Sequence, residues 1–219
     1  MRAQIVLFDG FDPLDVIAPY EVLSAGAMVT DGAVQVALVS AEGAREVPSG
    51  LAGLSLPAAA RLDPQHADLV VVPGAAGRLP DADEATDDSI PVILGRTLDT
   101  ALPALLKEAL DRPGLTVATV CGGSMVLAMA GLIEGRPATT HHLGLDLLEA
   151  TGTTPIDARV VDDGDLVTAA GVTSGLDLGL YLLERNLGPR VALSVEKLFA
   201  HERRGTVWRA TGTEPTVKV

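Results

Sequence analysis

The chain has 219 residues, 47% of them hydrophobic and only 3% aromatic, with a formal net charge of −13. This length and apolar content favour one large α/β domain spanning 1–219, with a core of Ala, Val and Leu. The acidic balance disfavours nucleic acid and anionic membrane surfaces as partners, and a single cysteine excludes an internal disulfide.

Met1-Arg2-Ala3-Gln4 runs into a strand-like Ile5 to Phe8, closed by Asp9-Gly10. No signal-peptide pattern precedes it, and no apolar run is long enough to span a bilayer. With the lone cysteine, this makes the reducing cytoplasm the expected location. Leu14 to Leu23 carries apolar residues at helical spacing despite Pro19, and Val34 to Val39 is a second strand. Residues 45 to 62 hold Pro48, Gly50, Gly53 and Pro57, which predicts a short hairpin and a loop. Leu69 to Val72 is a third strand, cut by Pro73-Gly74. The acidic segment Arg78 to Ser89 reads as a solvated loop, with a lid over a site as the sharper alternative.

Pro91 to Leu110 reads as a helix interrupted near Pro103 and ended by Pro113-Gly114. Thr116 to Val120 is a fourth strand, and Gly122 to Ile133 has the spacing of a helix. Gly144 to Ala150 is a short helix. Ala158 to Val161 and Leu166 to Ala169 flank Asp162-Asp163-Gly164-Asp165, a hairpin signal. Leu176 to Leu187 and Val191 to His201 are the last helices. Strands alternating with helices predict a mostly parallel central sheet with helices on both faces. Ligands in such folds bind beyond the carboxyl ends of the strands. Asp9 to Asp15, Pro73 to Gly77 and Cys121 to Ser124 all lead to that edge.

The strongest local feature is Val120-Cys121-Gly122-Gly123-Ser124, a buried strand turning sharply into a helix. It resembles the strand–nucleophile–helix elbow of hydrolases. A helix N-terminus carries partial positive charge and free N–H groups, so a thiol there is expected to have a lowered pKa. The Gly122 N–H can point at a developing oxyanion. The plainer reading of Cys121 is a small core residue filling a gap. Pro73-Gly74-Ala75 ends the preceding strand and either completes the oxyanion site or is an ordinary turn. Asp15 either caps the following helix or places a carboxyl against Cys121 as a proton carrier. His141, followed by His142, is either a base in the substrate pocket or structural. No residue pattern has metal-ligand spacing, and no phosphate-binding Gly-rich loop is present, so neither metal nor cofactor is expected.

Three motifs in order then carry a resemblance: Phe11 to Val22 with Asp12, Asp15 and Glu21; Val71-Val72-Pro73-Gly74; and Val120-Cys121-Gly122-Gly123 with Ala130 to His141. A later stretch, Arg159 to Leu183, looks like the same subgroup. The chain resembles the ThiJ/PfpI superfamily, whose fold is similar to class I glutamine amidotransferase domains. Within it, the chain is most similar to isonitrile hydratases and to the amidotransferase-like domain of some AraC-type regulators. The tail to Val219 holds no pair of helix-turn-helix units, so a complete regulator is not expected.

The resemblance implies a flavodoxin-like three-layer sandwich and a homodimer. It implies Cys121 as nucleophile and Asp15 as its acidic partner. Gly74, Ala75 and Gly122 would then be N–H donors to the anionic intermediate. Isonitrile hydration to an N-substituted formamide through a thioimidate is the first expectation. A glyoxalase-like or deglycase-like stress protein, or a redox-sensing or binding module, are the alternatives. Superfamily proteases tend to place His after the cysteine and isonitrile hydratases tend to place Thr there. Here the residue is Gly122.

Overall fold

The first strand, β1 (Arg2–Leu7), opens a sheet that organises the whole computed structural model, which describes residues 1–79 and 86–213. Helix α1 (Pro13–Val29) follows, then β2 (Gln35–Ser40), β3 (Arg45–Pro48), β4 (Ser55–Ala58), β5 (Ala60–Arg61) and β6 (Leu69–Val72). Next come α2 (Ile90–Arg96), α3 (Leu102–Asp111), β7 (Thr116–Val120), α4 (Gly123–Met129), β8 (Pro137–Ala138) and α5 (Leu145–Ala150). The chain continues through β9 (Thr154–Pro155), β10 (Val160–Asp163), β11 (Leu166–Ala169), α6 (Ser174–Leu187), α7 (Pro189–Phe199) and β12 (Trp208–Arg209).

The main sheet runs in the order β12-β10-β11-β7-β6-β1-β2-β5. All its neighbours are parallel except β10 and β11. Helices α1, α6 and α7 pack together on one face, and α2, α3, α4 and α5 on the other. This is the expected three-layer α/β sandwich. β6 and β7 are buried along their whole length, which explains their unbroken aliphatic runs. The chain leaves β1 toward β2 on one side and later returns through β6 on the other. The carboxyl ends of β1, β6 and β7 are therefore neighbours, at the point where the winding direction reverses.

Several boundaries differ from the sequence reading for identifiable reasons. α1 runs on to Val29 rather than ending at Leu23. Its Gly26 is not a stop but a contact point, since a β-carbon there would lie 2.4 Å from Leu183 Cδ2. The break expected at Pro103 falls earlier, at a 3₁₀ turn over Thr97–Asp99. Pro103 instead sits in the first turn of α3, where a missing N–H removes no helical bond. The helix after Cys121 is shorter than expected and ends before Gly131, which has φ +69°. The hairpin over 45–62 is real, with β3 and β4 antiparallel, but β5 joins the main sheet. The strand pairs β8–β9 and β10–β12 have no counterpart in the sequence reading. The acidic segment expected as loop or lid includes residues 80–85, which lie outside the described residues. Among the described residues no helix is long and apolar enough to cross a membrane.

Candidate active site

β7 delivers the chain to Cys121, which adopts φ +54°. A non-glycine residue in the left-handed region is strained and persists only where its surroundings hold it. Here the Cys121 N–H donates to both Ala169 O at 3.0 Å and Ala170 O at 2.8 Å. The Cys121 carbonyl accepts from Thr140 Oγ1 at 2.8 Å. Behind it, the start of α4 passes so close to β6 that a β-carbon at Gly123 would sit 2.1 Å from the Val72 carbonyl oxygen. Only glycine fits there, so the turn can be this tight. The cysteine is almost wholly buried, at 8% exposed.

Asp15 lies in the first turn of α1 and is fully buried. The cap of α1 is Asp12, whose Oδ1 accepts from Leu14 N at 2.9 Å, so the capping reading of Asp15 is corrected. Gly74 N–H donates to Asp15 Oδ2 at 2.9 Å. Asp15 Oδ1 has no partner among the described residues. Burial raises the Asp15 pKa well above its ordinary value, the Asp12 charge adds to this, and the Gly74 N–H and the neighbouring Cys121 thiol oppose it.

Burial also pushes the Cys121 thiol up, and the Asp15 charge pushes it further. The Gly122 N–H acts in the opposite direction. This corrects the expectation that the elbow by itself makes a low-pKa thiol. α4 has only seven residues, and its dipole does not outweigh a buried carboxylate beside the sulfur. Thiol and carboxyl form a coupled pair: once one proton has left, the second is much harder to remove.

The loop after β6 touches the elbow directly, since a β-carbon at Gly74 would lie 2.6 Å from Gly122 N and 2.8 Å from Asp15 Oδ2. The Gly74 N–H is committed to Asp15, so it is not aimed at a substrate anion as expected. Ala75 bridges Phe11 between two hydrogen bonds, Asp12 N–H to Gly74 O at 2.9 Å and Ala76 N–H to Gly10 O at 3.1 Å. Neither bond uses the Ala75 N–H. Of the three N–H groups that the sequence reading named, Gly122 and Ala75 are the ones not committed to Asp15. A side chain at 122 would meet Leu94, whose Cδ1 would be 3.0 Å from the added β-carbon.

His141 follows Thr140. Its Nδ1 accepts from Leu143 N at 3.3 Å, and its ring lies against Gly171 and 4.3 Å from the His142 ring centroid. Burial, then the His142 charge, lower its pKa. Its described hydrogen bond runs to Leu143, not to Cys121 or Asp15.

Sequence reasoning missed a set of buried hydroxyls beneath the elbow. Ser124 Oγ donates to Thr139 O at 2.6 Å and lies 2.6 Å from Thr119 Oγ1. Thr168 Oγ1 accepts from Thr139 N at 2.8 Å. The available signal was a threonine inside each of two buried strands, Thr119 and Thr168, which pair across β7 and β11. A cleft of about 780 Å³ opens near the same sheet edge, lined by residues including Gly10, Arg45, Ala76 and Gly77 but not by Cys121 or Asp15. Among the described residues no group of three or more His, Cys, Asp or Glu is placed to hold a metal ion.

Comparison with known proteins agrees with this architecture. The chain is 36% identical over 199 residues to an isonitrile hydratase of Pseudomonas putida, covering 90% of this chain and 76% of that protein. It is 27% identical over 170 residues to a deglycase of Thermococcus kodakarensis, covering 77% of this chain and 89% of the other. A ThiJ/PfpI family protein from Pseudomonas syringae superposes with a TM-score of 0.76 at 25% identity, over 93% of this chain and 76% of that one. The profile of the DJ-1/PfpI family matches residues 1–185, from β1 through most of α6, and the chain belongs to that family.

Proposed function

We propose that the protein is a cysteine-dependent hydratase that converts a small isonitrile to an N-substituted formamide. The observation that carries this reading is the pair itself: a fully buried carboxyl of raised pKa beside a thiol on a strained elbow. Such a carboxyl retains a proton that it can give to carbon and later take back from water. The similarity to an isonitrile hydratase over most of both chains supports the choice of substrate.

In the proposed cycle Asp15 first draws the proton from the Cys121 thiol, so that the reacting form of the pair is the Cys121 thiolate beside protonated Asp15. Sulfur attacks the terminal carbon of the isonitrile, and Asp15 gives its proton to that carbon, forming a thioimidate. Asp15, now a carboxylate, takes a proton from water as the oxygen adds to the same carbon. That proton passes to nitrogen. The adduct's hydroxyl proton then moves to Asp15 as the C–S bond breaks, releasing formamide and restoring the thiolate. The Gly122 and Ala75 N–H groups face the oxygen as negative charge builds on it.

Cys121→Ala is expected to abolish turnover of an isonitrile, and Asp15→Asn to reduce kcat by about 10²–10⁴-fold, the usual contribution of a positioned proton carrier. Retention of full activity by either variant overturns the reading. The similarity to a deglycase favours a second reading, an aldehyde as the electrophile of the same thiol. Methylglyoxal assayed beside the isonitrile, with Cys121→Ala as control, separates the two.

A further inference from the structure

The hydroxyl of Thr140 occupies an unusual position relative to the elbow. It donates to the Cys121 carbonyl at 2.8 Å, and the residue is 1% exposed. That carbonyl belongs to the same peptide unit as the Gly122 N–H. The described chain contains no cis peptide. In a trans peptide the C=O and N–H point in opposite directions within one plane. Holding the carbonyl from one side therefore sets where the N–H points on the other. The N–H in question is the one that favours the Cys121 thiolate.

We infer that Thr140 is a positioning residue, whose hydroxyl aims the Gly122 N–H at the sulfur and at the oxygen of the reacting adduct. It never touches either. The inference rests on the reading of Cys121 as nucleophile and deepens it. Three further features support it. The peptide is strained at Cys121 and needs an anchor. The direction of the hydroxyl is set by packing, since the Thr140 methyl lies against Gly144, where an added β-carbon would be 3.3 Å away. The backbone on either side of Thr140 is pinned, by Ser124 and Thr168 at Thr139 and by the Gly144 N–H, which donates to His141 O at 2.7 Å. A hydrogen bond to the carbonyl also polarises the amide, which strengthens the N–H as a donor.

The groups that act on the thiol are Asp15, Asp12 and the Gly122 N–H. Thr140→Val keeps the shape and removes only the donor, so Asp15 and Asp12 remain as they are. The pH profile of Cys121 alkylation by iodoacetamide reads the thiolate directly and needs no substrate. For Thr140→Val the rate at neutral pH is expected to fall about tenfold and the profile to move to higher pH. On an isonitrile, kcat should fall about 10–100-fold with KM little changed, because a donor turned aside costs less than the 10²–10³-fold of one removed. Thr140→Ser should restore both to within about twofold. Ser40→Ala is the structural control: it removes a buried hydroxyl bonded to Gly43 O on β2, which β6 and β1 separate from β7, and it lowers Tm but leaves the alkylation profile in place.

A folded Thr140→Val with the parent's alkylation profile overturns the inference, as does an equal shift in Ser40→Ala. If Thr140→Val does not fold, Thr140→Ala takes its place: the same fall in alkylation rate is expected, and a profile like the parent's overturns the inference. If the parent alkylates but turns over neither isonitrile nor methylglyoxal, the proposed reaction fails. The alkylation ratio between variant and parent then still decides the role of Thr140.

Discussion

At Asp15 the fold buries a carboxyl completely and gives it one backbone hydrogen bond, from the Gly74 N–H, beside the Cys121 thiol. Its other oxygen has no partner among the described residues. Desolvation of the charged form is uncompensated there, so its folded pKa lies above its unfolded one. A carboxyl of raised pKa contributes stability while it is protonated. That contribution is fully present below the ordinary carboxylate range and is lost as pH rises through the folded pKa. Asp15→Asn carries no proton to lose and keeps the acceptor for Gly74. It should therefore gain on the parent by up to about 1.4 kcal/mol per pH unit above pH 4, until Asp15 has ionised. Urea unfolding of both proteins from pH 4 to 8 measures this, and a difference that stays flat with pH contradicts the assignment. Other carboxylates titrate alike in both proteins and cancel. The same substitution removes the proton carrier, so the variant should be the more stable protein and the poorer catalyst.

At the scale of elements, the site depends on how closely α1 and α6 approach. A β-carbon at Gly179 would meet Val22 Cγ1 at 2.8 Å, and one at Gly175 would meet Pro19 Cδ at 3.1 Å. Replacing Gly by Ala in a helix interior normally stabilises by up to about 1 kcal/mol. At Gly179 overpacking should outweigh that, with a net loss of about 1–2 kcal/mol. At Gly95 in α2, where an added β-carbon meets nothing within 4 Å, the same change should stabilise. Urea midpoints of Gly179→Ala and Gly95→Ala check both signs.

This interface also shows what a sequence hides. Alternation of aliphatic runs with helical stretches made the layered sheet and both of its faces readable. The elbow was readable because a cysteine followed by two glycines after a buried strand is a local pattern. The extension of α1 past Leu23 through Gly26 was not readable, because what packs against Gly26 is Leu183 on α6, more than a hundred residues away. Thr140 was invisible as anything but a motif member, because it acts through a backbone carbonyl that every residue possesses. The thiol pKa was misread for a related reason. The elbow's dipole is local, whereas the burial of Asp15 is a property of the assembled fold.

Across the whole molecule, the segment after α6 lies beyond the family match yet is tied back into the body. Asp177, 2% exposed, takes the Arg159 Nε at 2.6 Å, His201 Nε2 at 3.4 Å and the Arg204 N–H at 2.8 Å. Arg159 also donates to Thr173 Oγ1 at 3.1 Å. The carbonyl of Arg159 accepts from Ala170 N, and the carbonyl of Ala170 accepts from Cys121 N. One carboxylate therefore joins the C-terminal segment to the backbone that supports the elbow. Further out, Arg203 pairs with Glu184 and Glu196, and Arg209 with Tyr181 and Asp162, which lays β12 along β10 and covers that edge of the sheet. Surface pairs contribute about 0–1 kcal/mol, whereas removing one partner of a buried pair costs about 3–5 kcal/mol. Asp177→Ala should accordingly cost several kcal/mol and expose residues 200–213 to proteolysis. Asp68→Ala, in a pair whose side chains are 46% and 43% exposed, should cost about 1 kcal/mol or less. Urea unfolding and limited trypsin digestion of the two variants test this. Equal stability losses would mean that Asp177 is only another surface charge. A large loss with the tail still resistant to trypsin would place its contribution in Arg159 and the elbow rather than in the C-terminal segment.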